Sequence, residues 1–163
     1  MIERVIAAIP SPYPIFLITN SPADYAHLDL PMLPDHYPGC GPLAGIHAGL
    51  LHSPMEWNFF LACDFPLLNT STINEIVAAP RQAQIILPET PAGLQPLCAL
   101  WSKTALPIVA SALQNKELRV RAILAKLPFY KISLTDARAL ANLNTPQDLP
   151  TDFSNPGDDR SLR

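Results

Sequence analysis

Nineteen prolines are spread through 163 residues, and they confine this chain to short regular elements. Proline fixes its own φ and donates no backbone N–H, so it interrupts both helices and central strands. Their positions mark many element boundaries and point to a loop-rich α/β chain, not a helical bundle. Apolar residues make up 48% of the chain and charged residues only 15%, the balance of a globular protein with a core. The length suits one domain. A formal charge of −3 argues against broad, sequence-independent nucleic-acid binding. Cys40, Cys63 and Cys98 are odd in number and far apart, which makes neither a zinc spacing nor a disulfide framework. That usage fits a reducing cytosol. No apolar stretch approaches the roughly 20 residues of a membrane helix. The first residues lack the basic region and cleavage site of a signal peptide, so a cytoplasmic location is expected.

Between the prolines, apolar runs alternate with segments of helical spacing. Residues 2–9 read as a helix stopped by Pro10-Ser11-Pro12. Residues 15–18, 57–63, 84–87, 97–101 and 129–134 read as strands, and residues 30–35 as a brief edge strand. The run 57–63 is apolar without alternation, so it is expected to be buried on both faces. Helices are expected over residues 43–51, 103–115 and 119–126. A further one should run to Ala79 from the cap-rich stretch Asn69-Thr70-Ser71-Thr72. Residues 88–93 read as a turn, Asn142-Leu143-Asn144 as another, and residues 146–149 as one helical turn. The alternation implies an α/β domain over residues 1–149, with a mostly parallel, doubly wound (Rossmann-like) sheet and helices on both faces. Residues 150–163 form a polar, aperiodic tail expected to be mobile.

Two segments carry chemistry. In Phe59-Phe60-Leu61-Ala62-Cys63-Asp64 an apolar strand ends in a carboxylate, at the edge where open α/β sheets bind ligands. Hard carboxylate oxygens suit Mg²⁺, with phosphates and water completing its octahedron. An aspartate capping the turn before Pro66 fits the same residues. In Gly41-Pro42-Leu43-Ala44-Gly45 a glycine-framed turn opens a helix, so backbone N–H groups can approach an anion closely. A tight turn needing positive φ, with Pro42 as the first helical residue, is the plainer reading and the one this segment taken alone favours.

Other candidates are paired with plainer readings. Asn20 and Asp35 each end a strand and could face the same crevice, or form Asx turns. Arg119 and Arg121, with Lys116 nearby, could clamp an anionic group, or line a solvated helix face. Asn142 and Asn144 would project to one side of an extended segment and could read a heterocycle edge, or cap a turn before Pro146. His47 and His52 do not have the i, i+4 spacing of a helical metal pair.

Taken in order, the motifs resemble those of the molybdenum cofactor guanylyltransferases. That family carries Gly-Pro-Leu-Ala-Gly, Cys-Asp-x-Pro and Asn-x-Asn-Thr-Pro at similar intervals. Here these match residues 41–45, 63–66 and 142–146. Asn20 and Asp35 fall where the family places nucleotide-contacting residues, and Gln95-Pro96-Leu97 and Glu117-Leu118-Arg119 are in register. Leu118 stands where the family commonly has a further arginine. The family also opens with a glycine-rich loop, Leu-Ala-Gly-Gly-x-Ser-x-Arg-Met-Gly-x-Asp-Lys, that wraps the nucleotide phosphates. The residues here begin after it, so roughly 30 residues, about one strand–loop–helix unit, are not represented. The resemblance therefore implies weak folding and little turnover for these residues by themselves.

The resemblance implies transfer of GMP from GTP to molybdopterin-bound molybdenum, with release of pyrophosphate. Asp64 would hold Mg²⁺ at the catalytic centre. Asn20, Asp35, Gly41 and Gly45 would serve the nucleotide, and Arg119, Asn142 and Asn144 the pterin. A molybdoenzyme or another cofactor-biosynthesis protein would be a partner. A non-catalytic remnant that binds pterin or a partner enzyme, and a cytidylyltransferase, are the rival readings.

Overall fold

The computed structural model describes residues 1–141. Helix α1 (Ile2–Ala8) is followed by two short strands, β1 (Leu17–Ile18) and β2 (Met32–Leu33). A 3₁₀ segment, Pro22–Leu28, connects them. Helix α2 (Pro42–His52) leads to β3 (Trp57–Leu61), and α3 (Thr70–Ala78) to β4 (Ile85–Thr90). Strands β5 (Gly93–Leu94) and β6 (Cys98–Ser102) return directly. Helices α4 (Leu106–Gln114) and α5 (Val120–Leu124) and strand β7 (Phe129–Ile132) complete the regular elements, with a last 3₁₀ segment at Ala137–Leu140.

The expected layering is present, with helices on both faces of a sheet, but the sheet is not mostly parallel. Its order is β3-β6-β4-β5, with β7 pairing to β4. Strand β6 runs antiparallel to both β3 and β4, and β5 antiparallel to β4; only β7 pairs with β4 in parallel. The cause lies in the connection. A parallel return needs a crossover of a dozen or more residues, and the segment between β4 and β6 contains only the tight hairpin at Gly93. Strands β3, β4 and β7 thus point one way, with the reversed β6 between the first two. Strands β1 and β2 form a separate parallel pair, in register Leu17 with Met32 and Ile18 with Leu33.

Side-chain alternation divides the core in two. Ile85, Leu87, Ala99 and Trp101 face α2, α4 and α5, packing on Leu43, Ile46, Val109 and Ile123. Ile86, Cys98 and Leu100 face the opposite way, onto Val5 of α1 and Ile73 and Ile76 of α3. Every residue of β6 is buried. The run 57–63 departs from expectation here. All five residues of β3 are only half-buried, because among the described residues β3 is an edge strand that pairs with β6 alone.

Helix α2 joins the two sheets. At Gly49 a Cβ would overlap the Phe60 ring of β3 and crowd Ile18 of β1, so the interior requires a glycine there. The Asn69 side chain caps α3 as its sequence suggests, accepting from the Thr72 N–H at 2.9 Å.

One cluster was not legible in the sequence. The Nε2 atoms of His36 and His52 lie 2.9 Å apart, and His36 and Tyr37 meet the His47 ring edge-on. His47 is only 7% exposed, and its buried Nδ1 has no hydrogen-bond partner among the described residues. Burial lowers its pKa, as does the neighbouring His36; Asp35 opposes them, and His52 adds to the lowering. The folded state therefore binds fewer protons here than the unfolded chain, so stability rises with pH across this window. Stability is expected to be complete above about pH 6.5 and to fall as the pH drops below that value. His47→Phe should flatten this dependence, and a pH series of thermal melts checks it. An unchanged slope would show that His47 carries none of it.

Candidate active site

Asp64 sits three residues beyond β3, in the turn that follows it, and is exposed. The turn begins where the Ala62 N–H donates to the Leu97 carbonyl at 2.8 Å, the last rung toward β6. Phe65 and Leu68 drop into the core behind it and fix the turn from below. Asp64 lines a cleft of about 340 Å³ together with Gln95, Leu97, Arg119 and Arg121. Arg119 is the exposed N-cap of α5. The structure thus brings together Asp64 and Arg119, which are 55 positions apart in the sequence.

The opposite wall is held rigidly. The buried Trp101 indole donates from Nε1 to the Pro96 carbonyl at 3.1 Å. The Gln95 N–H donates to the Pro88 carbonyl at 2.9 Å, and its side-chain amide to Thr90 Oγ1 at 3.0 Å. A core side chain therefore positions the segment Gln95-Pro96-Leu97 at the cleft.

Charge in the cleft is mixed. Neither Arg119 nor Arg121 makes an ion pair or side-chain hydrogen bond among the described residues. Two unpaired guanidiniums facing one carboxylate form a site for a polyanion that brings its own cation. The carboxylate also acts on its neighbour. Burial pushes the Cys63 thiol pKa up, and the Asp64 charge raises it further. Asp64→Asn is expected to speed alkylation of Cys63 at neutral pH, because the thiolate is the reactive form. Iodoacetamide labelling rates check this, and an unchanged or slower rate would contradict it.

Among the described residues, no three His, Cys, Asp or Glu side chains form a group able to hold a metal. Asp64 is the one carboxylate among the described residues on the wall of this cleft. Such a donor set does not suit a caged, resident ion. It does fit Mg²⁺, which binds through one or two carboxylates plus substrate phosphates.

The other expected residues lie at two further places. Asn20 and Asp35 follow the carboxyl ends of the paired β1 and β2. The Asp35 N–H donates to Asn20 Oδ1 at 2.9 Å, and the Tyr37 N–H donates to Asp35 Oδ1 at 2.6 Å. Asp35 makes the Asx-type bond of the plainer reading, to the N–H two residues on; Asn20 does not, and its side chain instead reaches the backbone N–H of Asp35, tying the two strand ends together. Gly41, at φ +67°, is the N-cap of α2, and Pro42 is its first residue. A Cβ at Gly41 or at Gly45 would meet nothing within 4 Å. Interior packing demands neither glycine, unlike Gly49, and both leave helix-start backbone open to a ligand. Asn142 and Asn144 lie outside the described residues, as does the 150–163 tail. Arg121, a candidate clamp with Arg119 in the sequence, lines the same cleft. Its approach to Gly93, a strand residue at φ +107°, has no local sequence signal beyond the glycine itself.

An α/β sheet bearing a strand-end carboxylate, a glycine-framed helix start and a cationic cleft defines a domain that handles phosphorylated ligands. Comparison with known proteins narrows this class. Residues 1–131 match the family described as the MobA-like NTP transferase domain, and the chain belongs to it. A molybdenum cofactor guanylyltransferase, described as probable, from Flavobacterium johnsoniae is 35% identical over 152 residues, covering 91% of this chain and 80% of that protein. One from Clostridium perfringens, likewise described as probable, is 31% identical over 153 residues, covering 88% and 77%. Among solved structures, molybdopterin-guanine dinucleotide biosynthesis protein A from Archaeoglobus fulgidus superposes with a TM-score of 0.75 at 20% identity, over 90% of this chain and 80% of that one. That likeness is one of fold.

Proposed function

We propose that this protein transfers GMP from GTP to the terminal phosphate of molybdopterin-bound molybdenum cofactor, releasing pyrophosphate. The observation that carries this reading is the meeting of Asp64 and Arg119 across one cleft. A pterin-phosphate oxygen attacks the α-phosphorus of GTP, a P–O bond forms to it, and the bond to the β-phosphate oxygen breaks. Most of the catalysis in such a displacement is positioning and charge neutralisation. Mg²⁺, when bound at Asp64, supplies a Lewis acid and a template for the phosphates of both substrates. Arg119 pairs with the pterin phosphate and holds the attacking oxygen on the Asp64 side. Asn20, Asp35 and the open backbone at Gly41 and Gly45 serve the nucleoside end. Asn142 and Asn144 are assigned to the pterin on the family resemblance. The product would pass to a molybdoenzyme or a cofactor-biosynthesis partner, in the cytoplasm; the free thiols Cys40, Cys63 and Cys98 suit that compartment.

Arg119→Ala separates the two substrates. It is expected to raise the apparent KM for the molybdopterin substrate about tenfold or more, the scale of one charge-assisted hydrogen bond, with a smaller change for GTP. Steady-state kinetics with each substrate varied in turn is the check. A selective loss of GTP affinity would mean that the two halves are reversed.

A further inference from the structure

A second cleft, of about 390 Å³, adjoins the first and shares Leu94 and Arg121 with it. Its floor is apolar, from Leu94 and Leu124, and the exposed ring of Phe129 stands at one side. Glu89 lines it as its one carboxylate. Lys131 donates to Glu89 Oε2 at 2.8 Å, and Oε1 makes no hydrogen bond among the described residues. Gly93, at φ +107°, places the Arg121 guanidinium 3.3 Å from where a Cβ would stand, so the lack of a side chain there gives Arg121 its place between the clefts.

From this arrangement we propose that the second cleft holds the fused ring of the acceptor pterin, with Glu89 reading its 2-amino-4-oxopyrimidine edge. The inference rests on the transferase reading above and extends it to the ring. A carboxylate only accepts hydrogen bonds, and this edge presents two adjacent donors, the ring N–H and the 2-amino group. Lys131 engages Glu89 Oε2 and leaves Oε1 for the ring edge, and the flat ring lies between Phe129 and the aliphatic floor. Arg121, at the junction, meets the anionic substituent that leads on to Arg119 and Asp64. Guanine carries the same edge, so the nucleotide is the competing source of this chemistry.

Fluorescence titration of the 163-residue chain with pterin-6-carboxylate, and with GMP in parallel, tests the assignment. Glu89→Gln replaces one acceptor with a donor. It should weaken pterin-6-carboxylate about tenfold or more and leave GMP within about twofold, because a charge-assisted acceptor facing two donors is lost and a donor is set against them. The change is near-isosteric on an exposed side chain, and unaltered GMP affinity reports an intact fold. Ala125→Trp, at an exposed position on the cleft wall, should block the pterin likewise by filling the space. Pterin binding that ignores both substitutions would overturn the second cleft and leave the transferase reading standing. Loss of GMP in place of pterin would assign the edge to the nucleotide and overturn it too. Absence of any pterin binding by the unaltered chain would overturn this proposal and the acceptor half of the transferase reading together.

Discussion

Asp64→Asn is expected to lower nucleotidyl transfer by about two to three orders of magnitude, the scale on which a single transition-state contact acts in a preorganised site. The substitution removes one negative charge and almost no volume. Asp64 is exposed and has no hydrogen-bond partner among the described residues, so folding does not depend on its carboxylate. The loss should therefore appear in turnover at saturating substrates, with the melting temperature unchanged. The reason is the donor set of the cleft: Asp64 is the one carboxylate on its wall among the described residues, so none of them can take over the cation. Wild-type-like turnover in Mg²⁺ would remove Asp64 from the catalytic centre.

Trp101→Ala is expected to destabilise the fold by about 3–5 kcal/mol, the range for truncating a buried large aromatic. Trp101 is fully buried in the middle of β6, within the cluster shared by α2, α4 and α5. At about 2–4 °C per kcal/mol for a chain of this size, the melting temperature should fall by roughly 10 °C. Trp101→Phe separates packing from positioning. It keeps most of the ring and removes the Nε1 donor, which leaves the Pro96 carbonyl unsatisfied and frees the Gln95-Pro96-Leu97 wall. The smaller variant effect should then fall on substrate KM more than on stability. A melting temperature insensitive to Trp101→Ala would show that the cleft wall is held by something other than this side chain.

Much of this could be read from residues near one another in the chain. Asn69 as a cap, Pro42 at a helix start and Pro10 as a helix stop are local choices, and local chemistry decides them. The placement of helices on both faces followed from the alternation of runs. The strand directions did not, although their signal was present: residues 84–87 and 97–101 are joined by too few residues for a crossover, which forces β6 to run backwards. The half-burial of β3 was illegible, because an apolar run reads alike at a sheet's edge and at its centre. The pairing of His36 with His52 and the entry of Arg121 beside Gly93 depend on how distant segments pack. Asp64 and Arg119 were each legible as candidates, whereas their meeting in one cleft was a property of the fold.

The most direct test of the transferase reading follows the α-phosphate of GTP. The protein is incubated with α-³²P-labelled GTP, Mg²⁺ and molybdenum cofactor, and the products are separated. The account predicts label in a guanine dinucleotide of the pterin, equimolar unlabelled pyrophosphate, and neither product when Asp64 is replaced by Asn. Label that remains in GTP while α-labelled CTP transfers, or transfer that survives Asp64→Asn, would contradict it.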